Sequence, residues 1–188
     1  MQGRTHEIGA VAAALVIAPL THIQNNSTVV YAGFLVCAGV GGLLPDADLP
    51  NSTIGKKIFP LAWPMYLIRR ILNLLKRFIP SLEKVTRLMA HRGICHTPFM
   101  WLVILLPSFI FLRPGWRIYL TGLSAGIVSH LLLDSISGGI PALFPFTMKR
   151  IHVPGIRVKT GGAIEFVIMI ILFLYCMVKL AAYIKGVI

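Results

Sequence analysis

The chain has 188 residues, of which 56% are hydrophobic and only 13% charged, with a mean hydropathy of +0.81. A soluble domain carries roughly 25% charged residues, so this balance excludes an ordinary water-soluble enzyme and points to an integral membrane protein. The net charge of +12 would suit nucleic acid on a soluble surface, but the basic residues here flank apolar runs, so anionic lipid headgroups are the expected partner and nucleic acid is not.

In chain order, the first apolar run covers Ile8–Ile23 and reads as a span or a re-entrant segment. Glu7 lies within the first seven residues and no small-x-small site leads into a polar chain, which argues against a cleaved signal peptide. Further runs cover Thr28–Leu44, Thr97–Leu112, Trp116–Leu133 and Ala163–Val178. Each crossing of the hydrocarbon core takes about 20 apolar residues, so the expectation is an all-α membrane bundle of about five transmembrane helices. It forms a single domain over residues 1–188.

Two segments lie outside these runs. In PMYLIRRILNLLKRFIP, Arg69, Arg70, Asn73, Lys76 and Arg77 fall on one helical face and Leu, Ile and Phe on the other, the pattern of an amphipathic helix in the membrane interface. MKRIHVPGIRVKTGG alternates around the turn pair Pro154-Gly155 and reads as a short β-hairpin. With the N terminus inside, fourteen Lys and Arg fall in inner segments and four (Arg113, Arg117, Lys179 and Lys185) outside. Positive residues are retained on the cytoplasmic side, so the expected topology is N-in and C-out.

That topology gathers polar residues which the charge counting did not use. His6 and Glu7 open the first helix; Asp46 and Asp48 follow the second; His91 and His96 precede the third; His130 and Asp134 close the fourth; Glu165 opens the fifth. All converge on one face of the membrane, where burial costs several kcal/mol unless the groups are paired or bind an ion. His130 and Asp134 are spaced i, i+4 and share a helix face. Asp46 and Asp48 alternate on a segment just past Pro45, and Gly93 lets the chain turn between His91 and His96. Each piece alone has an ordinary reading as a hydrogen-bonded pair, a turn residue or a first-turn acid; their joint location favours a divalent cation. Nitrogen and oxygen donors without obligatory sulfur suit Zn²⁺ and also permit Mn²⁺ or Fe²⁺, and more than four candidates suggest two or more ions. Cys37, Cys95 and Cys176 form no CxxC pair and read as unpaired thiols, while His22 and His152 lack a positioned partner and read as non-ligands.

These residues form ordered motifs: T-H-x-x-x-G (Thr5, His6, Gly9), L-L-P-D-x-D-x-P-x-S (Leu43 to Ser52), H-R-G-x-x-H (His91 to His96), H-L-L-L-D (His130 to Asp134) and T-G-G-x-x-E (Thr160 to Glu165). The set resembles the YdjM-like inner-membrane proteins, described as metal-dependent hydrolases. It departs from that family's pattern at Cys95, where threonine is more common, and at Thr97, where serine is. The order of His, Asp, His and HxxxD is also similar, in part, to zinc-dependent phospholipase C and P1 nuclease, although a later HxxxE element is not evident. The resemblance implies a bacterial or archaeal cytoplasmic membrane location and phosphoester hydrolysis, with a lipid headgroup as the expected substrate.

On that reading the expected metal ligands are His6, Asp46, Asp48, His91, His96, His130 and Asp134. Glu165 is a further ligand or the base that takes the water proton, and the Arg92 fork holds a phosphate oxygen. Two other function classes share these residues. A divalent-metal transporter would need ionisable groups continuing towards the outer face, where the sequence has almost none beyond His22. A non-catalytic scaffold with a structural metal would need only four ligands.

Overall fold

The computed structural model describes residues 1–49, 52–57, 59–88, 92–155 and 157–186. It is mostly helical: α1 (Gly3–Leu20), α2 (Thr28–Leu43), α3 (Thr53–Lys57), α4 (Phe59–Leu75), α5 (Leu82–Leu88), α6 (Pro98–Phe111), α7 (Pro114–Ser137) and α8 (Ala163–Ile184). Short 3₁₀ turns cover Ile23–Asn25, Leu44–Asp48 and Ile94–His96.

Local chemistry sets several of these starts. The Ser27 hydroxyl accepts from the Val30 amide at the head of α2, and the Thr97 hydroxyl accepts from the Met100 amide at the head of α6. Proline occupies the first turn of α6 and α7, where its missing N–H is no loss.

The centre of the fold is the pair α2 and α7, with α1 packed on both and α8 packed on α1. Small residues let these backbones touch. A Cβ at Gly126 would lie 2.0 Å from the Ala38 carbonyl oxygen, one at Gly122 would lie 2.3 Å from that of Phe34, and one at Gly41 would lie 2.1 Å from that of Leu123. Gly122 and Gly126 stand in a GxxxG spacing, the arrangement by which helices approach closely in lipid, where packing rather than hydrophobic burial holds them together. An aliphatic and aromatic core of Leu15, Tyr31, Phe34 and Ala38 fills the end away from the histidines.

Two expectations are corrected here. Among the described residues three helices, not five, are long and apolar enough to cross a membrane: Thr28–Asp48 (α2 with its 3₁₀ extension), Pro114–Ser137 and Ala163–Ile184. The apolar helix α6 has 14 residues, about 21 Å of rise against a core of about 30 Å. α1 begins at Gly3 and so includes Arg4, His6 and Glu7 in its first turns, which leaves its apolar part short of a span.

Among the described residues the hairpin is not formed either: the segment after Thr147 makes one bridge, Ile140 to Ile151, and then runs along the end of α7. The amides of Val153 and Val158 donate to the carbonyls of Ser135 and Ile136. Those belong to the last turn of α7, where carbonyls have no partner within the helix, so the helix end takes the donors that a hairpin would have used. The amphipathic helix is present as α4 and ends at Leu75, with Ile68, Ile71 and Leu74 exposed.

Candidate metal centre

Each of four elements delivers a donor for a local reason. α1 carries His6 on its buried face beside Thr5 and Gly9. Pro45 starts the 3₁₀ turn that prolongs α2 and bears Asp46. Ser52 stitches that turn, its hydroxyl lying 2.8 Å from the carbonyls of both Asp46 and Leu49 and accepting from the Gly55 amide at 2.9 Å. His96 ends the 3₁₀ turn immediately before the Thr97 cap. α7 carries His130 and Asp134 one turn apart, and the amides of Gly138 and Gly139 close its end by donating to the Asp134 carbonyl.

These side chains meet. His96 Nε2 lies 3.3 Å from Asp46 Oδ1, 3.5 Å from Asp134 Oδ2 and 3.3 Å from His130 Nε2. His130 Nε2 lies 3.9 Å from both Asp46 Oδ1 and Asp134 Oδ2, and His6 Nε2 lies 3.3 Å from Asp134 Oδ1. The rings of His6 and His130 stack with centroids 3.8 Å apart. Two groups have donor atoms all within 4.8 Å of one another: His6, Asp46 and His130, and His96, His130 and Asp134. All three imidazoles are buried, and Asp46 and Arg92 keep 17% and 14% of their side-chain surface exposed, so these two mark the edge by which solvent reaches the cluster.

One hydrogen bond sets the chemistry of the cluster. His130 Nδ1 lies 2.7 Å from the Gly42 carbonyl, an acceptor only, so Nδ1 carries the proton and Nε2 presents its lone pair to the other donors. A metal-binding histidine is usually held in this way, its far ring nitrogen donating to a carbonyl or carboxylate. The donor set therefore fits a divalent transition ion. Because Nδ1 is committed, His130 has one nitrogen to offer, and that nitrogen belongs to both groups. A single ion at a time can take it, and a second would draw on other donors.

Asp134 is the most heavily engaged acid. Arg92 Nη2 donates to its Oδ1 at 3.1 Å, Arg92 Nε lies 2.9 Å from Oδ2, and Ser137 Oγ and the Met1 amine lie 3.2 and 3.0 Å from Oδ1. The Arg92 guanidinium, expected to meet a phosphate, thus grips Asp134, with Nη1 beside Gly138, where any side chain would collide with it. Arg92 itself has φ 59, a left-handed turn directly before the Gly93 that precedes the His96 turn.

Not every expected ligand joins the cluster. Asp48 is buried with Oδ2 3.9 Å from Arg69 Nη1, so it ties the 3₁₀ turn to α4 and belongs to neither group. Glu165 is buried at the head of α8, where its oxygens accept from the Gln2 amide, the Thr5 hydroxyl and the Gly161 amide. It fastens α8 to the start of α1, one residue from His6. His91 lies outside the described residues. His22 and His152 are in neither group. Cys95 sits beside the site as a neutral thiol, since burial, with help from the Asp48 carboxylate, pushes it up to about 11.

The sequence reading missed the Gly42 carbonyl, Ser137 and Thr5 as polar partners. Only the small-residue spacing of α2 and α7 hints at Gly42, because close backbones are what put its carbonyl under His130.

The model of the family described as YdjM inner membrane protein matches residues 1–186. The chain belongs to the YdjM inner-membrane family. It is accordingly a membrane protein, and the motifs that carried the resemblance are those which bring His6, Asp46, His96, His130 and Asp134 together. Neither a curated protein nor a solved structure matches this YdjM-family chain.

Proposed function

We propose that this YdjM-family protein is a membrane-embedded, metal-dependent hydrolase of a phosphoester such as a phospholipid headgroup. The observation that carries the reading is the convergence of His6, His96 and His130 on Asp46 and Asp134, with His130 held in the metal-binding tautomer by Gly42. Three buried imidazoles turned towards two carboxylates form a donor set that a bound cation stabilises.

His6, Asp46, His96, His130 and Asp134 would hold a divalent cation, zinc foremost and manganese or iron within the donor chemistry, which would supply a water of lowered pKa and a Lewis acid for the phosphoryl group. The chain's own residues do the rest. Asp134, clamped by Arg92 and Ser137, is fixed in orientation. Asp46, at the exposed edge, is the carboxylate best placed to take a proton from the attacking water. Arg92, 14% exposed, also stands at this edge, so a phosphate oxygen entering there meets its guanidinium beside Asp134. Glu165 holds α1 in register, so its part is to position His6.

The protein crosses the membrane several times with the cluster end cytoplasmic, because fourteen of its eighteen Lys and Arg fall in segments at that end. α4 lies at headgroup depth there, its exposed Arg70 facing anionic lipid while Arg69 turns back to Asp48.

The test is turnover by purified protein reconstituted in vesicles and loaded with Zn²⁺ or Mn²⁺, assayed on bis(p-nitrophenyl) phosphate and phosphatidylglycerol. Wild type should release product and Asp46→Asn should not. A metal-bearing wild type inert on every phosphoester offered would refute the reading.

A further inference from the structure

Beside the cluster runs an apolar groove of about 810 Å³, open to the side of the molecule and lined by α1, α7, α8 and Phe109 of α6. We infer that this groove seats one acyl chain of a membrane phospholipid whose headgroup lies at the cluster, so that the substrate is a long-chain lipid and not a water-soluble phosphoester. The inference rests on the hydrolase reading for its headgroup half and on the groove alone for its chain half.

Position is the first argument. At the cluster end the groove is bounded by Gly9 of α1 and Leu133 of α7, and a Cβ at Gly9 would lie 2.7 Å from Leu133 Cδ1 and 3.2 Å from Ser129 Oγ. Gly9 is three residues past His6, and Ser129 and Leu133 directly precede His130 and Asp134, so the inner end of the groove lies at the level of the cluster along α1 and α7. A molecule with a polar head at the histidines has this trough for its tail.

Length and chemistry agree. Along α7 the lining extends from Thr121 to Leu133, about 18 Å of rise. Half of a hydrocarbon core about 30 Å thick is about 15 Å, so the groove is as long as one leaflet's chain. No charged residue lines it. Two of its hydroxyls are turned back on their own helix: Thr121 Oγ1 donates to the Arg117 carbonyl at 2.8 Å and Ser124 Oγ to the Leu120 carbonyl at 2.7 Å. They leave methyl and methylene surface facing the groove along this part of α7.

The experiment uses full-length protein in phosphatidylglycerol nanodiscs containing a phosphatidylglycerol with a mid-chain diazirine, irradiated and mapped by mass spectrometry. Adducts should concentrate on the α1 and α7 walls of the groove, around Ala13 and Val128, over the exposed α6 face at Leu102 and Leu106. Ala13→Trp, which fills the trough, should remove the groove adducts and leave those on α6. Adducts distributed evenly over groove and α6 would mean bulk lipid only and overturn the inference, whatever the enzyme does.

Turnover separates the two halves. In metal-loaded protein, Ala13→Trp should lower kcat/KM for phosphatidylglycerol by about tenfold, the equivalent of roughly two methylenes losing contact, and spare bis(p-nitrophenyl) phosphate. Equal rates on phosphatidylglycerol for wild type and variant would defeat the inference while leaving the hydrolase reading intact. Val128→Trp serves the same purpose from the opposite wall should Ala13→Trp not remain monodisperse.

Discussion

α7 and α8 are similar in length, 24 and 22 residues, and both can cross a membrane, yet they are built for opposite surroundings. The apolar stretch of α7 has a mean hydropathy of 1.3 and is 50% buried within the protein, whereas that of α8 has 2.4 and is 6% buried. α7 spends its composition on Gly122, Gly126, Ser129, His130 and Asp134, which face α1 and α2. α8 presents Ile171, Phe173 and Leu174 outward and buries only Glu165 and Cys176. In lipid an apolar surface gains nothing by turning inward, so the less hydropathic helix is the one that holds the fold and the site.

Four substitutions sharpen or break that contrast. Asp134→Ala on α7 leaves Arg92 and its other cationic neighbours without a counter-charge and should cost about 3–5 kcal/mol of stability, read as a fall in the thermal midpoint in detergent. Gly126→Leu forces a side chain into the α2 backbone and should cost about 1–3 kcal/mol or prevent purification; a variant as stable as wild type would discredit the close α2–α7 packing. Glu165→Gln, at the head of α8, keeps the shape but weakens acceptance from three donors, so about 1–2 kcal/mol should be lost with bound metal retained. Leu174→Ala, on the lipid face of α8, should change stability by less than about 0.5 kcal/mol. A large loss there would mean that α8 packs on a partner that its exposure does not reveal.

The same contrast explains what the sequence could and could not tell. Hydropathy located α2, α7 and α8 because lipid-facing or core-facing side chains dominate their length. It misplaced their ends, since an apolar run stops at the first charge and a helix does not. The run read as Trp116–Leu133 ends before Asp134, but α7 continues to Ser137 because Asp134 is satisfied from inside. Likewise α1 starts at Gly3 with His6 buried, and so has too little apolar length to count as a span. Alternation around Pro154 suggested a hairpin, yet the choice between pairing with itself and pairing with the free carbonyls of α7 is made by tertiary position.

The site was legible as a convergence: i, i+4 spacing and the shared membrane face gathered His6, Asp46, His96, His130 and Asp134. Spacing could not divide Asp46 from Asp48, two residues apart, of which one reaches His96 and the other reaches Arg69. Nor could it pair Arg92 with Asp134, 42 residues away, or find a backbone carbonyl such as Gly42 acting on His130.

The most direct measurement is metal content by mass spectrometry of detergent-purified wild type beside His130→Ala, each first exposed to Zn²⁺ and then freed of loose ions. The account predicts about one bound ion or more per wild-type chain and almost none in a monodisperse His130→Ala, because His130 belongs to both candidate donor groups. Wild type that holds no ion, or His130→Ala that holds as many as wild type, would contradict it.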